Sequence, residues 1–147
     1  MAKVSTYLNF PGNTEEVFNF YKEVFGGEFS GDGIMRFGDM PADPDMPPLS
    51  ESAKNMVMHM SLDIFDGAHT LMGSDAPEEM GFKVNNGNNV YIMLQTDTRA
   101  QARQLFNSLS EGGIIEQELQ DMFWGDYYGS LSDKYGVMWM FICEEKA

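Results

Sequence analysis

The chain has few of the features that mark secreted or membrane proteins. It contains a single cysteine, Cys143, so no disulfide can form within it, and this favours a reducing compartment. No apolar run approaches the roughly 20 residues that a membrane-spanning helix needs. The first residues, Met1 to Ser5, also lack the apolar stretch of a signal peptide. We therefore expect a cytoplasmic protein that has no membrane as a partner.

Basic residues are scarce. The chain has 9 lysines and arginines against 23 aspartates and glutamates, and its formal net charge is −14. A surface of this sign repels the phosphates of nucleic acids and anionic lipids. Nucleic acid is therefore not expected as a partner either, and the acidic surface favours solubility.

Enough apolar sequence is present for one folded domain. The 147 residues are 43% hydrophobic, which excludes a disordered chain and allows a sizeable core. We therefore expect a single domain that spans residues 1–147.

The first half of the chain predicts a strand, a helix and three further strands. The helix follows Asn13, which with Glu16 has the spacing of a capping box, and it ends at Gly26-Gly27. In the hairpin of the last two strands, Asp66-Gly67 is typical of a turn. Alternating or continuous apolar residues predict the strands at 4–10, 28–37, 56–65 and 69–74.

The same order of elements begins again near Tyr91. A strand at 91–96 precedes a helix whose capping box is Thr98 with Gln101, and Gly112-Gly113 ends that helix. Turns are expected at Trp124-Gly125 and near Tyr135-Gly136. The last three strands are predicted near 114–121, 126–132 and 137–143. The chain is thus predicted to be an α+β protein of two βαβββ modules, 1–75 and 89–147.

Two polar segments interrupt the pattern. Four prolines lie in residues 38–55, which therefore cannot form a helix interior or a central strand. We expect this acidic segment to be a long loop and the most mobile part of the chain. A second polar loop is expected at 75–89.

Each predicted module has one helix, which covers one face of its sheet and leaves the other face in need of a partner. Two curved sheets that face each other would leave a cup, and such a cup is a common place for a small ligand. The predicted architecture is therefore a paired, cup-shaped sheet of eight strands.

These features resemble the glyoxalase/bleomycin-resistance/dioxygenase (vicinal oxygen chelate) superfamily, and its PhnB-like branch in particular. The resemblance covers nearly the whole chain and implies the two-module fold and a homodimer. It is carried by the order and spacing of Tyr7-Leu8-Asn9-Phe10-Pro11-Gly12-Asn13, Phe20-Tyr21-Lys22-Glu23-Val24-Phe25-Gly26-Gly27, Leu71-Met72-Gly73-Ser74-Asp75, Phe123-Trp124-Gly125-Asp126-Tyr127 and Asp133-Lys134-Tyr135-Gly136-Val137-Met138-Trp139.

Catalytic members of that superfamily hold a divalent metal through His and Glu side chains. The resemblance places the corresponding positions here at Ser5 or Thr6, Gly73, Tyr91 and Met140. None of these residues is a usual ligand of such a metal. We therefore expect no metal and no other cofactor.

Other chemical signals in the chain are weak. His59, His69 and Asp63 share one predicted hairpin and form an imaginable metal site, although a solvated or core histidine is the more common case. Cys143 is expected to face a helix and to be inert. Asp126 is expected to belong to a turn with aromatic packing.

Sequences of this kind are often called 3-demethylubiquinone methyltransferases. A methyltransferase of the usual kind needs a glycine-rich turn after its first parallel strand. Here Gly26-Gly27 follows a helix instead, and no basic cluster is typical of a phosphonate site. We regard both activities as unsupported by the sequence.

The leading hypothesis is a metal-independent protein that binds or sequesters a small molecule and performs no chemistry. Two alternatives stay open: a lyase or dioxygenase-like enzyme that uses a metal, and an interaction protein whose cup is filled by side chains. The catalytic residues of such an enzyme stay unknown. The residues predicted to contact the ligand are Tyr7, Asn9, His59, Tyr91, Met93, Gln95, Met138 and Met140, with Trp124 at the rim.

Overall fold

The computed structural model describes all of residues 1–147. Its regular elements are nine strands, three α-helices and two short 3-10 helices. The chain divides into two units, Met1–Val84 and Asn85–Ala147, each with its own sheet. Phe37–Asp39 and Glu78–Met80 form short 3-10 helices. The other elements are β1 (Thr6–Phe10), α1 (Thr14–Phe25), β2 (Glu28–Phe29), β3 (Met35–Arg36), α2 (Glu51–Asn55), β4 (Val57–Ile64), β5 (His69–Asp75), β6 (Ile92–Thr96), α3 (Arg99–Ser110), β7 (Ile114–Asp121), β8 (Tyr127–Ser132) and β9 (Met138–Cys143).

The sheet of the first unit has the strand order β1-β5-β4-β2, and the short β3 also pairs with β4. Strands β1 and β5 are parallel neighbours, whereas the other pairs are antiparallel. The turn between β4 and β5 uses positive φ angles at Phe65, Asp66 and Gly67. The hairpin predicted at Asp66-Gly67 is therefore confirmed.

Helix α1 covers one face of this sheet and buries Val17, Phe18 and Tyr21 completely. The predicted cap is wrong, because the Asn13 side chain makes no capping hydrogen bond. Asp75 at the end of β5 replaces it: one carboxylate oxygen accepts hydrogen bonds from the Thr14 backbone N–H at 3.0 Å and from the Thr14 hydroxyl at 2.7 Å. The sequence pattern missed this cap because its partners are 61 positions apart.

The segment between α1 and β4 differs from the prediction. The strand expected at 28–37 is split into β2 and β3, since Gly31 and Gly33 adopt positive φ angles between them. Residues 38–48 form an exposed loop, as expected. The prediction that this loop continues to residue 55 is wrong, because residues 51–55 form α2. The hydroxyl of Ser50 caps α2 by accepting a hydrogen bond from Ala53 N–H.

Ser50 also joins this segment to the second loop of the unit. Its hydroxyl and its backbone N–H both donate hydrogen bonds to the carboxylate of Glu79. These two bonds lower the pKa of Glu79 below the ordinary value of a glutamate. The two polar loops of the first unit are thus tied together next to α2.

The sheet of the second unit has the order β6-β9-β8-β7, which repeats the arrangement of the first. Its first and last strands, β6 and β9, are again parallel neighbours. The strands predicted in this half are confirmed to within one residue at each end. The predicted α+β class and the two βαβββ modules are therefore confirmed.

Helix α3 covers one face of the second sheet. The hydroxyl of Thr98 accepts a hydrogen bond from Gln101 N–H at 3.1 Å, which confirms the forward half of the predicted capping box. Ala102, Phe106 and Leu109 are fully buried. The ring of Phe106 lies 5.4 Å from that of Phe141 on β9, so this strand presents Phe141 to the helix. The two longest helices, α1 and α3, have 12 residues each, and no helix has the length and apolar content of a membrane span.

Candidate functional site

Each sheet has a distal face, by which we mean the face opposite its covering helix. Gly73 identifies the two faces of the first sheet, because a Cβ added there would come within 2.6 Å of the Phe18 ring on α1. Gly73 is paired with Leu8 and Met60, which therefore share its helix side. Since successive strand residues alternate between faces, Tyr7, Asn9 and His59 belong to the distal face.

Hydrogen bonds connect the distal side chains of the first sheet. The hydroxyl of Tyr7 lies 3.2 Å from Nδ1 of His59, and their rings are 5.7 Å apart. The hydroxyl of Ser74 donates to the amide oxygen of Asn9 at 3.0 Å. Tyr7 is 49% exposed. The three residues that the sequence predicted here, Tyr7, Asn9 and His59, thus lie on one face, on the two strands β1 and β4.

Two of the predicted metal positions of this half, Thr6 and Gly73, do not lie on that face. Gly73 points toward α1, as its contact with Phe18 requires. Thr6 also lies on the helix side, where its hydroxyl is 2.8 Å from Nε2 of His69. The prediction that Gly73 occupies a ligand position is therefore wrong by one residue of register. The neighbours that do face away from α1 on β5 are Met72 and Ser74, neither of which is a usual ligand.

The two histidines do not approach each other. His69 is paired with Ile64, on the helix side, whereas His59 belongs to the distal face. Asp63 instead accepts a hydrogen bond from the Thr70 hydroxyl at 2.6 Å. The imagined His59, Asp63 and His69 site is therefore not assembled. No group of three or more His, Cys, Asp or Glu residues in the chain is arranged to hold a metal ion.

The distal face of the second sheet carries most of the other predicted residues. Met93 pairs with Met140, and Leu94 pairs with Phe141. Leu94 is buried, whereas Met93 and Gln95 are exposed. Met93 and Gln95, which the sequence predicted to contact the ligand, therefore share one face of β6. Met138 lies on the same face as Met140 but is buried.

The same alternation confirms the orientation expected for Cys143. It shares the helix side of β9 with Trp139 and Phe141, and all three side chains are fully buried. A buried thiol on this side has no access to a ligand on the distal face.

Sequence reasoning missed Glu116, which contacts Tyr91. The Tyr91 hydroxyl donates to both carboxylate oxygens of Glu116, at 2.9 and 3.2 Å. This hydrogen bond raises the pKa of Tyr91 above its ordinary value, because it stabilises the protonated phenol. In β7, Ile115 and Gln117 pair with successive residues of β8, so Glu116 between them has no partner. A β-bulge of this kind redirects a side chain, and a regular alternation does not predict it.

Trp124 lies in the middle of a row of three aromatic side chains in the β7–β8 hairpin, between Phe123 and Tyr128. Its ring centroid is 5.0 Å from that of Phe123 and 5.8 Å from that of Tyr128. Tyr128 pairs with Ile142, which places it on the distal face. The turn predicted here is confirmed by a hydrogen bond from Gly125 N–H to the Met122 carbonyl at 3.0 Å.

Five of the nine basic side chains are already paired with acidic side chains. Lys22, Arg36, Lys54, Arg99 and Arg103 each pair with a carboxylate. The strongest of these pairs joins Arg99 at the start of α3 to Asp121 by two hydrogen bonds of 2.7 and 2.9 Å, which raise the pKa of Arg99 and lower that of Asp121. Four of these pairs join different parts of the chain, whereas Lys54–Glu51 lies within α2.

Two βαβββ modules define a known class of protein fold. Residues 4–141 match the family model of the Glyoxalase/Bleomycin resistance protein/Dioxygenase superfamily, and the chain belongs to this superfamily. The resemblance inferred from the sequence is thereby confirmed.

Several relatives match almost the whole chain. Protein YjdN of Escherichia coli (strain K12) is 28% identical over 93% of this chain and 92% of its own length. Protein PA1353 from Pseudomonas aeruginosa has 32% identity and a TM-score of 0.81, and the match covers 99% of this chain and all of that one. A PhnB protein from Bacillus cereus, which carries the name 3-demethylubiquinone-9 3-methyltransferase, has 25% identity and a TM-score of 0.72, with 97% of this chain and 99% of that one covered.

Proposed function

We propose that this protein binds a small molecule through the distal faces of its sheets and does so without a metal. The supporting observation is the chemistry of those faces. On the parallel strand pairs β1–β5 and β6–β9 they present hydroxyl, amide, thioether and aliphatic groups, and no imidazole or carboxylate. The residues concerned are Tyr7, Asn9, Met72, Ser74, Met93, Gln95, Met138, Met140 and Ile142.

This set does not fit the divalent metal that catalytic relatives hold. A hard or borderline cation requires ionised carboxylate or neutral imidazole ligands, and thioethers are poor donors to it. The neighbours of Gly73 on β5, Met72 and Ser74, do not supply such a ligand either. The residues of β5 therefore do not fit the metal even if the ligand position is shifted by one residue.

The same set suits an organic ligand. Aromatic rings, flexible methionines and a few hydrogen-bonding groups are typical of small-molecule sites. Tyr7 is 49% and Met93 48% exposed, which disfavours the alternative in which neighbouring side chains already fill the site.

Two measurements test this proposal together. Elemental analysis of protein purified without added metal should find no stoichiometric transition metal, and ligands from a thermal-shift screen should bind equally well in the presence of EDTA. About one zinc, nickel, iron or manganese per chain that is lost in His59→Ala would overturn metal independence. A broad screen in which no compound raises the melting temperature would overturn small-molecule binding.

A further inference from the structure

The Tyr91–Glu116 pair places a carboxylate against an aromatic side chain on the distal face of the second sheet. Tyr91 and Glu116 are joined by the two hydrogen bonds described above. Tyr128 lies on the same face, two residues along β8 from Ser130, which pairs with Gln117 next to Glu116. Trp124 and Phe123 continue the row of rings from Tyr128. A carboxylate and a series of π faces therefore lie on one side of one sheet.

No cationic side chain neutralises this carboxylate. Glu116 takes part in none of the five ion pairs of the chain. Strands β6 to β9 contain no lysine or arginine. Lys146, which approaches the hairpin, donates its ammonium group to the Gly125 carbonyl at 2.9 Å. Since Tyr91 satisfies only part of the acceptor capacity of two carboxylate oxygens, Glu116 can still accept from a ligand.

The backbone directs Glu116 to this place. Gln117 pairs with Ser130 and Ile115 with Leu131, which leaves Glu116 as the extra residue of a bulge. Two residues further along the same strand, Glu118 instead contacts Arg103 of α3, at 3.3 Å. The two glutamates of β7 therefore have different surroundings. Glu118 is paired with the Arg103 guanidinium, whereas Glu116 has no cationic partner and lies against Tyr91.

We propose that Glu116, Tyr91, Tyr128 and Trp124 form a site for an organic cation, in which the carboxylate attracts the charge and the rings cover its apolar part. An aromatic ring attracts a cation placed over its face, and a carboxylate without a cationic partner adds a Coulombic preference. The net charge of −14 acts in the same direction. This inference rests on the proposed small-molecule binding and specifies the ligand class for one of the two sheets.

Three planar probes of similar size distinguish the effect of ligand charge on affinity from the effect of ligand shape. They are N-methylquinolinium as the cation, N-methyl-2-quinolone as the neutral analogue and 1-naphthoate as the anion. Binding is followed on the full-length chain through the indole N–H signals of its two tryptophans. Trp124 is half exposed, whereas Trp139 is buried and donates to Asp133 at 2.9 Å, so its signal serves as an internal control.

We expect N-methylquinolinium to shift the Trp124 signal, to leave that of Trp139 in place and to bind about 10-fold more tightly than the neutral probe. Glu116→Gln should weaken cation binding about fivefold or more, and added salt should weaken it as well. Glu118→Gln is the matched control, and its effect should stay within about twofold because it changes only an exposed ion pair.

Each contrary result overturns the cation site. Equal binding of all three probes with no effect of Glu116→Gln would mean that the rings bind any planar molecule, and the proposed small-molecule function would survive. Tighter binding of 1-naphthoate would reverse the inferred charge. If no probe shifts Trp124, the site does not exist as inferred, and the thermal-shift screen decides separately whether the protein binds small molecules elsewhere.

Discussion

Gly73 shows how one missing Cβ determines which side of a strand is available for function. The ring of Phe18 and the methyl group of Thr14 occupy the space that a side chain at this position would need. The position that the resemblance equated with a metal-ligand position is therefore a packing position between β5 and α1. The same contact assigns every other residue of β5 to its face through alternation.

Replacing Gly73 by alanine should therefore destabilise the protein. The added methyl group would lie 2.6 Å from Phe18, and overpacking of this kind costs about 1–3 kcal/mol. The free energy of unfolding, measured by denaturant titration, tests this. Gly12→Ala is the matched control, since its Cβ would meet only the Met56 methyl group at an ordinary 3.7 Å. Equal stability of the two variants would show that Gly73 faces away from α1.

Strand β6 allows a second comparison at the scale of single residues. Tyr91→Ala should alter ligand binding and leave the fold intact, because its side chain is only half buried. Leu94→Ala should destabilise the chain by about 2–5 kcal/mol, because a buried leucine on the helix side is lost. Thermal melts and the ligand screen on both variants test the pair. If Tyr91→Ala unfolds the protein and Leu94→Ala does not, the face assignment of β6 is reversed.

At the scale of elements, the two modules differ mainly between the helix and the third strand. In the second unit, the chain passes from α3 into β7, an eight-residue strand. In the first unit, the equivalent strand is reduced to β2 and β3, and an exposed loop follows. Residues 38–48 are exposed throughout, and regular secondary structure resumes where Ser50 caps α2 and bonds to Glu79.

This loop should be the first part of the chain that a protease cuts. Subtilisin, which has broad specificity, is expected to cleave within residues 38–48, because exposed loops with few hydrogen bonds open at low energetic cost. Trypsin is the control: no lysine or arginine occurs between Arg36 and Lys54, so it cannot cut in the loop itself. Mass spectrometry of early fragments tests this, and first cleavage within 90–110 would contradict it.

At the scale of the whole molecule, we propose that the chain forms a homodimer. Several large apolar side chains remain exposed in the single chain, among them Val4, Val90, Ile114 and Phe123, the last of which is 99% exposed. Exposed apolar surface of this kind is often covered by a second copy in symmetric assemblies.

Light scattering at micromolar concentration should therefore report twice the monomer mass of 16.6 kDa. Phe123→Ser and Ile114→Ser test which exposed residues take part, because each would weaken association if its side chain is buried in the interface. A mass of 16.6 kDa for the unaltered protein would contradict the dimer.

The sequence by itself determined the two-module α+β fold and the bounds of the strands in its second module. It also identified the Thr98 cap of α3, and Met93 and Gln95, both predicted to contact the ligand, do share one exposed face of β6. These features are local, because the periods of a helix and a strand are visible within a few residues.

Only the tertiary structure decided the contacts between distant segments. Asp75 caps α1 from across the sheet, His59 and His69 lie on opposite faces, and Gly73 faces Phe18. The bulge that turns Glu116 toward Tyr91 was also invisible in the sequence. Strand pairing brings these groups together over many residues, and a one-residue change of register exchanges the two faces of a strand, so the position along the chain does not reveal which side chains meet.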